Sequence, residues 1–183
     1  MSREVGFALI GCGGIASVLA DAIAEVEDAT LRSCADLVAE NARGLAEEYE
    51  VEAWYTDHET MLAAVDPDVA VVATPNGTHA DIVVDCARAG VDVLCQKPLD
   101  LTVERIDRMV QACEDNDVRL GGLYNLRFDR GSHATKRAVE TGVIGDVVVA
   151  NGICPVYRGE EYYTGWHGTA DLAGGCLLTQ GIH

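Results

Sequence analysis

Lysine is nearly absent from this chain of 183 residues: Lys97 and Lys136 are the only two, and the other eleven of its 13 basic side chains are arginines. Basic residues of either kind are few beside 30 acidic ones, and the formal net charge is −17. That balance excludes a nucleic-acid-binding role, because phosphate contacts need clustered positive charge. No apolar run approaches the ~18 residues that span a bilayer, so no membrane partner is expected. The N-terminus, MSREVGF, lacks a signal-peptide profile. The seven cysteines (12, 34, 86, 95, 113, 154 and 176) include no CxxC pair and sit mostly inside apolar segments. A disulfide framework or zinc site is therefore not expected, no metal is assigned, and a reducing cytoplasm fits. Acidic excess with scarce lysine also matches the surfaces of proteins from high-salt cytoplasm, where salt screens the self-repulsion.

What is present in quantity is apolar: 49% of residues are hydrophobic, ample for a core. Apolar runs of strand length occur at 5–11, 30–35, 53–55, 69–73, 91–95 and 119–123. Between them, 15–26, 39–49, 59–65, 80–89 and 103–115 place apolar residues at helical spacing, as Ile15, Val18, Leu19, Ile23 and Val26 do. Strands apolar throughout, such as VAVVA, suit a parallel sheet covered on both faces. Strand–helix alternation with short connections predicts an α/β fold, a Rossmann-type doubly wound parallel sheet. The alternation ends near 123. A helix at 132–141, a long strand at 146–155 and a polar, aromatic loop follow. One helix and one strand cannot close a second core, so 124–183 reads as the beginning of an unfinished second α/β domain, with the apolar face of 146–155 exposed and prone to self-association.

The segment FALIGCGGIASVLADAI carries Gly11-x-Gly13-x-x-Ala16 where the first strand gives way to a helix. Gly11 permits the tight turn, Gly13 lets a pyrophosphate approach the backbone, and Ala16 allows close helix–strand packing, while the helix N-terminus offers unpaired N–H groups to phosphates. Gly14 and Ile15 complete the candidate loop. Asp36, closing the second strand, can accept hydrogen bonds from the adenosine ribose hydroxyls and repel a 2′-phosphate, so NAD is expected in preference to NADP.

Ligands of an open parallel sheet sit beyond the carboxyl ends of the strands. TPNGTH (74–79), QKP (96–98), YNLRF (124–128) and the final TQGIH all fall there. With GCGGIA and the strand-end aspartate, these motifs resemble the N-terminal half of the glucose–fructose oxidoreductase/inositol dehydrogenase/rhizopine-catabolism (Gfo/Idh/MocA) family, over essentially the whole chain. The last 27 residues or so are most similar to members acting on sugar acids or nucleotide sugars, including UDP-N-acetyl-glucosaminuronate dehydrogenases. The resemblance implies an NAD-binding domain over 1–123 and the start of a substrate and oligomerisation domain over 124–183. It also implies hydride transfer between NAD and a secondary hydroxyl of a sugar, cyclitol or nucleotide sugar, in a homo-oligomer (dimer or tetramer) when full length.

Such chemistry needs a proton acceptor and a cation on one oxygen. His183 is the natural base, because it titrates near neutrality, and Lys97 the cation that stabilises developing negative charge. Thr179, one helical turn before His183, occupies a position where many relatives carry Asp or Asn, and Gln96 stands where the family has glutamate. Both departures alter the proton relay that the resemblance implies. Thr74, Pro75, Asn76, His79, Gln96 and Asn125 are candidate cofactor contacts, and Arg127, Tyr163 and Trp166 candidate substrate contacts. Each has a plainer alternative: Asn76 and His79 as a turn and cap pair, Asn125 as a turn residue, Arg127 as interdomain cover, and Tyr162, Tyr163 and Trp166 as a packed loop. A non-catalytic NAD-binding sensor on the same fold, or an inactive truncated fragment, competes with the enzyme.

Overall fold

The computed structural model describes residues 3–182. Six strands form one sheet: β1 (Val5–Ile10), β2 (Ala29–Ala35), β3 (Ala53–Tyr55), β4 (Val69–Val72), β5 (Asp92–Gln96) and β6 (Leu120–Leu123). The order is β3-β2-β1-β4-β5-β6 and every pairing is parallel. The order reverses between β1 and β4, which opens a crevice at the carboxyl ends of those two strands.

Period-2 alternation sorts the strands onto two cores. Ala8 and Ile10 of β1, Ala70 and Val72 of β4, and Val93 and Cys95 of β5 face α3 (His58–Val65), α4 (His79–Arg88) and α5 (Val103–Asp115). Leu9, Cys34 and Val71 point the other way, onto α1 (Ala16–Ala24) and α2 (Ala39–Glu48). Leu9, Met61 and Met109 are wholly buried, each contributing roughly 1.5–3 kcal/mol of transfer free energy. Helix starts follow local chemistry. Asp57 accepts the Thr60 N–H at 2.8 Å to cap α3, and the Thr102 hydroxyl accepts from Arg105 N–H at 3.3 Å to cap α5.

Beyond β6 the sequence expectation holds only in part. The helix starts two residues earlier than expected, as α6 (Arg130–Glu140), because the Asp129 carboxylate accepts the Ser132 N–H at 3.1 Å and sets the N-terminus. The strand expected over 146–155 is absent; those residues are irregular and exposed. A strand is held by ladder hydrogen bonds, and no described strand lies beside this segment to supply them. Its apolar side chains are solvent-facing, with Val148 91% and Ile153 85% exposed. Two short helices close the chain, α7 (Ala170–Ala173) and α8 (Cys176–Thr179).

Candidate active site

The glycine loop leaves β1 with Gly11 at φ +97°, a conformation that side chains rarely adopt. A Cβ there would lie 2.6 Å from the Ala73 carbonyl oxygen, so Gly11 is fixed by the neighbouring β4 end. At Gly13 and Gly14 a Cβ would meet nothing within 4 Å. Their bareness is therefore not required by internal packing and leaves room for a ligand against the backbone. No side chain caps α1, whose first N–H, that of Ala16, is donated to the Gly13 carbonyl at 2.9 Å, and Ala16 is buried. Ile15 is 41% exposed at the loop's rim. Asp36 closes the crevice: one carboxylate oxygen accepts the Cys12 N–H at 2.8 Å, the other the Val38 N–H at 2.8 Å and the Asn41 amide at 3.3 Å. The loop and its acidic partner fit a dinucleotide. A hydrogen bond with Cys34 and burial push the Cys12 thiol pKa well up.

After β4, the TPNGTH stretch makes a 3-10 turn over Asn76–Thr78 and runs into α4. His79 is wholly buried, its ring nitrogens 2.9 Å from the Pro98 carbonyl oxygen and 2.8 Å from that of Thr74. It ties the loop after β4 to the loop after β5 and does not face the open crevice. Asn76 is likewise buried and donates its amide to the Ala173 carbonyl at 2.9 Å, holding α7 onto this turn. Thr74 accepts the Thr78 hydroxyl at 2.8 Å, and the Pro75 carbonyl accepts it at 2.7 Å.

The QKPLD segment has two jobs. Asp100 is buried and accepts from Ala80 N–H at 2.8 Å, Leu101 N–H at 2.7 Å and Arg105 Nε at 2.6 Å, which locks the loop onto α4 and α5. Lys97, joined to Pro98 by a cis peptide bond, is half-buried and donates its ammonium to the Thr179 carbonyl at 2.7 Å. No carboxylate among the described residues pairs with it. Burial, and then the Arg158 guanidinium, depress its pKa. Gln96 turns back on the loop and accepts the Lys97 N–H at 3.0 Å.

Over this edge lies the aromatic segment. The His167 ring stacks on Trp166 at 3.7 Å and lies 4.0 Å from Tyr162, whose other contacts are Arg158, 4.9 Å over its ring, and the Gln180 amide at 3.3 Å. Burial, then Arg158 and Lys97, lower the His167 pKa, so its ring is held neutral. Tyr163 sits edge-on to Tyr162 at 5.1 Å and is half exposed.

The fold thus gathers Gly11, Gly13, Gly14 and Asp36 beyond the ends of β1 and β2, and Lys97 and Thr179 beyond the end of β5. Thr179 contributes its carbonyl; its hydroxyl is already donated to Gly175 within its own turn. The helix carrying it ends at Thr179, and residues 180–182 form a turn. His183 itself lies outside the described residues. Asn125 and Arg127 are exposed on the 3-10 turn after β6. Sequence reasoning passed over Arg158, His167 and Asp100. The first two carried one signal, a cation and an imidazole set among aromatics in an otherwise acidic chain.

Comparison with known proteins agrees with this geometry. The model of the Gfo/Idh/MocA oxidoreductase family, described as an NAD-binding Rossmann fold, matches residues 5–123. Myo-inositol 2-dehydrogenase of Thermotoga maritima is 34% identical over 137 residues, which cover 75% of this chain and 41% of the relative. The 2,7-anhydro-N-acetylneuraminate hydratase of Mediterraneibacter gnavus is 30% identical over 175 residues, 96% of this chain and 46% of that protein. The chain therefore spans under half the length of these two relatives. Among solved structures, the WlbA dehydrogenase of Bordetella pertussis, in complex with NADH and UDP-GlcNAcA, superposes with a TM-score of 0.88 at 29% identity, covering 98% of this chain and 53% of that one.

Proposed function

Because the chain belongs to the Gfo/Idh/MocA oxidoreductase family, we propose that it is an NAD-dependent dehydrogenase moving a hydride between a secondary hydroxyl of a sugar, cyclitol or nucleotide sugar and the cofactor. Residues 1–123 bind NAD, and 124–183 begin the substrate and oligomerisation domain. Bound NAD supplies the hydride acceptor; the chain's own groups place the substrate and handle its proton. Gly13, Gly14 and the open start of α1 receive the pyrophosphate, and Asp36 the ribose. Lys97 hydrogen-bonds the reacting oxygen and stabilises its growing negative charge. His183 takes the hydroxyl proton.

The observation that carries this reading is the half-buried Lys97 ammonium, unpaired with any described carboxylate, at the strand-end edge across from the glycine loop. Arg127, Arg130 and Arg137 also lack a carboxylate but are exposed to water; a half-buried cation without one is available to an oxygen of a ligand. The names of the relatives support the substrate class, inositol for one and UDP-GlcNAcA for another. The acidic excess supports a high-salt cytoplasmic setting, and the exposed apolar stretch at Val147, Val148 and Val149 supports homo-oligomer formation through this half. The test pairs NADH binding, read by fluorescence quenching, with NAD reduction across inositols, sugars and nucleotide sugars. Turnover with at least one class confirms the enzyme. Tight NADH binding with no turnover anywhere favours the NAD-binding sensor.

A further inference from the structure

Charge around the aromatic segment is arranged against the character of the whole chain. With 30 acidic residues against 13 basic ones, a cation ordinarily finds a carboxylate, and eight of the described basic side chains do so within 4.0 Å: Arg3, Arg32, Arg43, Arg88, Arg105, Arg108, Arg119 and Lys136. The other five, Lys97, Arg127, Arg130, Arg137 and Arg158, do not, and of these Lys97 and Arg158 lie near enough to each other for Arg158 to lower the lysine's pKa. Both are held by groups that carry no charge. Lys97 donates to a backbone carbonyl, and Arg158 lies over the face of Tyr162, 4.9 Å from its centroid. His167, stacked between Trp166 and Tyr162, adds a wall that remains neutral near pH 7.

Two unneutralised cations beside one aromatic wall make a positive spot on a strongly negative molecule. A neutral polyol gains little from such a spot, because it has no charge to complement it. An anionic sugar, repelled by the rest of the surface, gains both attraction at the spot and discrimination against neutral competitors. Of the two cations, Lys97 is taken by the reacting oxygen. Arg158 is exposed; Nη1 donates to the Tyr157 carbonyl at 3.5 Å, and the rest of its planar fork is open to a carboxylate or phosphate.

We propose that Arg158 is a specificity-determining residue that binds an anionic group of the substrate, so that the site takes acidic sugars over neutral ones. The inference rests on the dehydrogenase reading above and narrows it from sugars and cyclitols in general to their charged forms.

The experiment is calorimetric titration of the NADH-saturated chain with myo-inositol, glucuronate, UDP-glucose and UDP-glucuronate, for the parent, Arg158→Gln and Arg158→Lys. In the parent, charged ligands bind roughly 10- to 100-fold more tightly than myo-inositol, the gain expected of a charge-assisted hydrogen bond. Arg158→Gln removes that preference with NADH affinity retained, and Arg158→Lys restores part of it. Preference for glucuronate identifies a carboxylate as the bound group; preference confined to the two UDP-sugars identifies phosphate. Equal affinity for neutral and charged ligands, no sugar binding to the NADH complex, or a preference that survives in Arg158→Gln overturns the inference and leaves the NAD reading standing. Failure of the parent to bind NADH removes both.

Discussion

The ammonium of Lys97 donates to the backbone carbonyl of Thr179 across 2.7 Å, joining positions 82 apart in the chain. A carbonyl orients a lysine without cancelling its charge, as a carboxylate would. The end of α8 therefore orients the cation and leaves its charge uncancelled.

Lys97→Met is expected to lower turnover by roughly 100- to 1000-fold, the usual loss on removing a donor to a developing oxyanion, with NADH affinity nearly unchanged. Burial, then Arg158, depresses the lysine's pKa, so the charged form is lost at lower pH than for a free lysine. The alkaline limb of the pH–rate profile therefore lies below the ordinary lysine range, and Arg158→Gln moves it upward. The same sign governs stability: the unfolded chain keeps this proton to higher pH, so the fold gains stability as pH rises through the depressed value. Lys97→Met should flatten that rise in melts recorded against pH. A limb that stays put or moves downward in Arg158→Gln contradicts the charge coupling.

The two ends of the glycine loop should separate stability from binding. In Gly11→Ala the new methyl collides with the Ala73 carbonyl at a positive φ. That costs at least about 2 kcal/mol, or about 4–8 °C in melting temperature for a chain of this size. In Gly13→Ala the methyl meets no protein atom, so the melt is unchanged while NADH affinity falls by about tenfold or more. Calorimetric melts and NADH titration check both; an unperturbed NADH affinity in Gly13→Ala would mean that the pyrophosphate does not approach there.

Asp36→Ala should relax the choice of cofactor. Loss of the carboxylate removes the repulsion of a 2′-phosphate, and the NADPH-to-NADH affinity ratio rises by about tenfold or more. The Cys12 N–H loses its partner as well, so NADH binding itself weakens. An unchanged ratio assigns the selection to another group.

Asp100→Ala tests the framework beneath the site. It strips acceptors from the Ala80 and Leu101 N–H groups and unpairs Arg105, at a cost of about 2–4 kcal/mol. Denaturant unfolding should show a lower midpoint at constant slope. A shift under about 0.5 kcal/mol, the range of an ordinary surface change, rules out this role for Asp100.

The sheet was legible because its strands are apolar on both faces and its helices carry one stripe; β3 at Ala53–Tyr55 and α5 at Val103–Asp115 fall where periodicity puts them. The glycine loop was legible because positive φ and bare backbone demand one residue type. Residues 146–155 misled, since apolar β-branched runs record a preference for pairing and not the presence of a partner strand. His79 and Asn76 were ambiguous for a related reason. The polar groups that bind ligands are the same ones that satisfy buried carbonyls, and only their surroundings decide. Arg158 and His167 escaped notice because what distinguishes them is packing on Tyr162 and Trp166 close to Lys97, and that last neighbour, about 60 to 70 positions away in the chain, leaves no mark in the local sequence.

The hydrogen bond from Asn76 to Ala173 ties the turn after β4, proposed to border the cofactor, to α7, in the segment proposed to meet the substrate. The two binding events then share a mechanical element, and linkage makes their influence mutual. Whatever factor the dinucleotide adds to substrate affinity by seating α7, the substrate returns to the dinucleotide. Each ligand should therefore bind the complex of the other more tightly than the free chain, by one common factor.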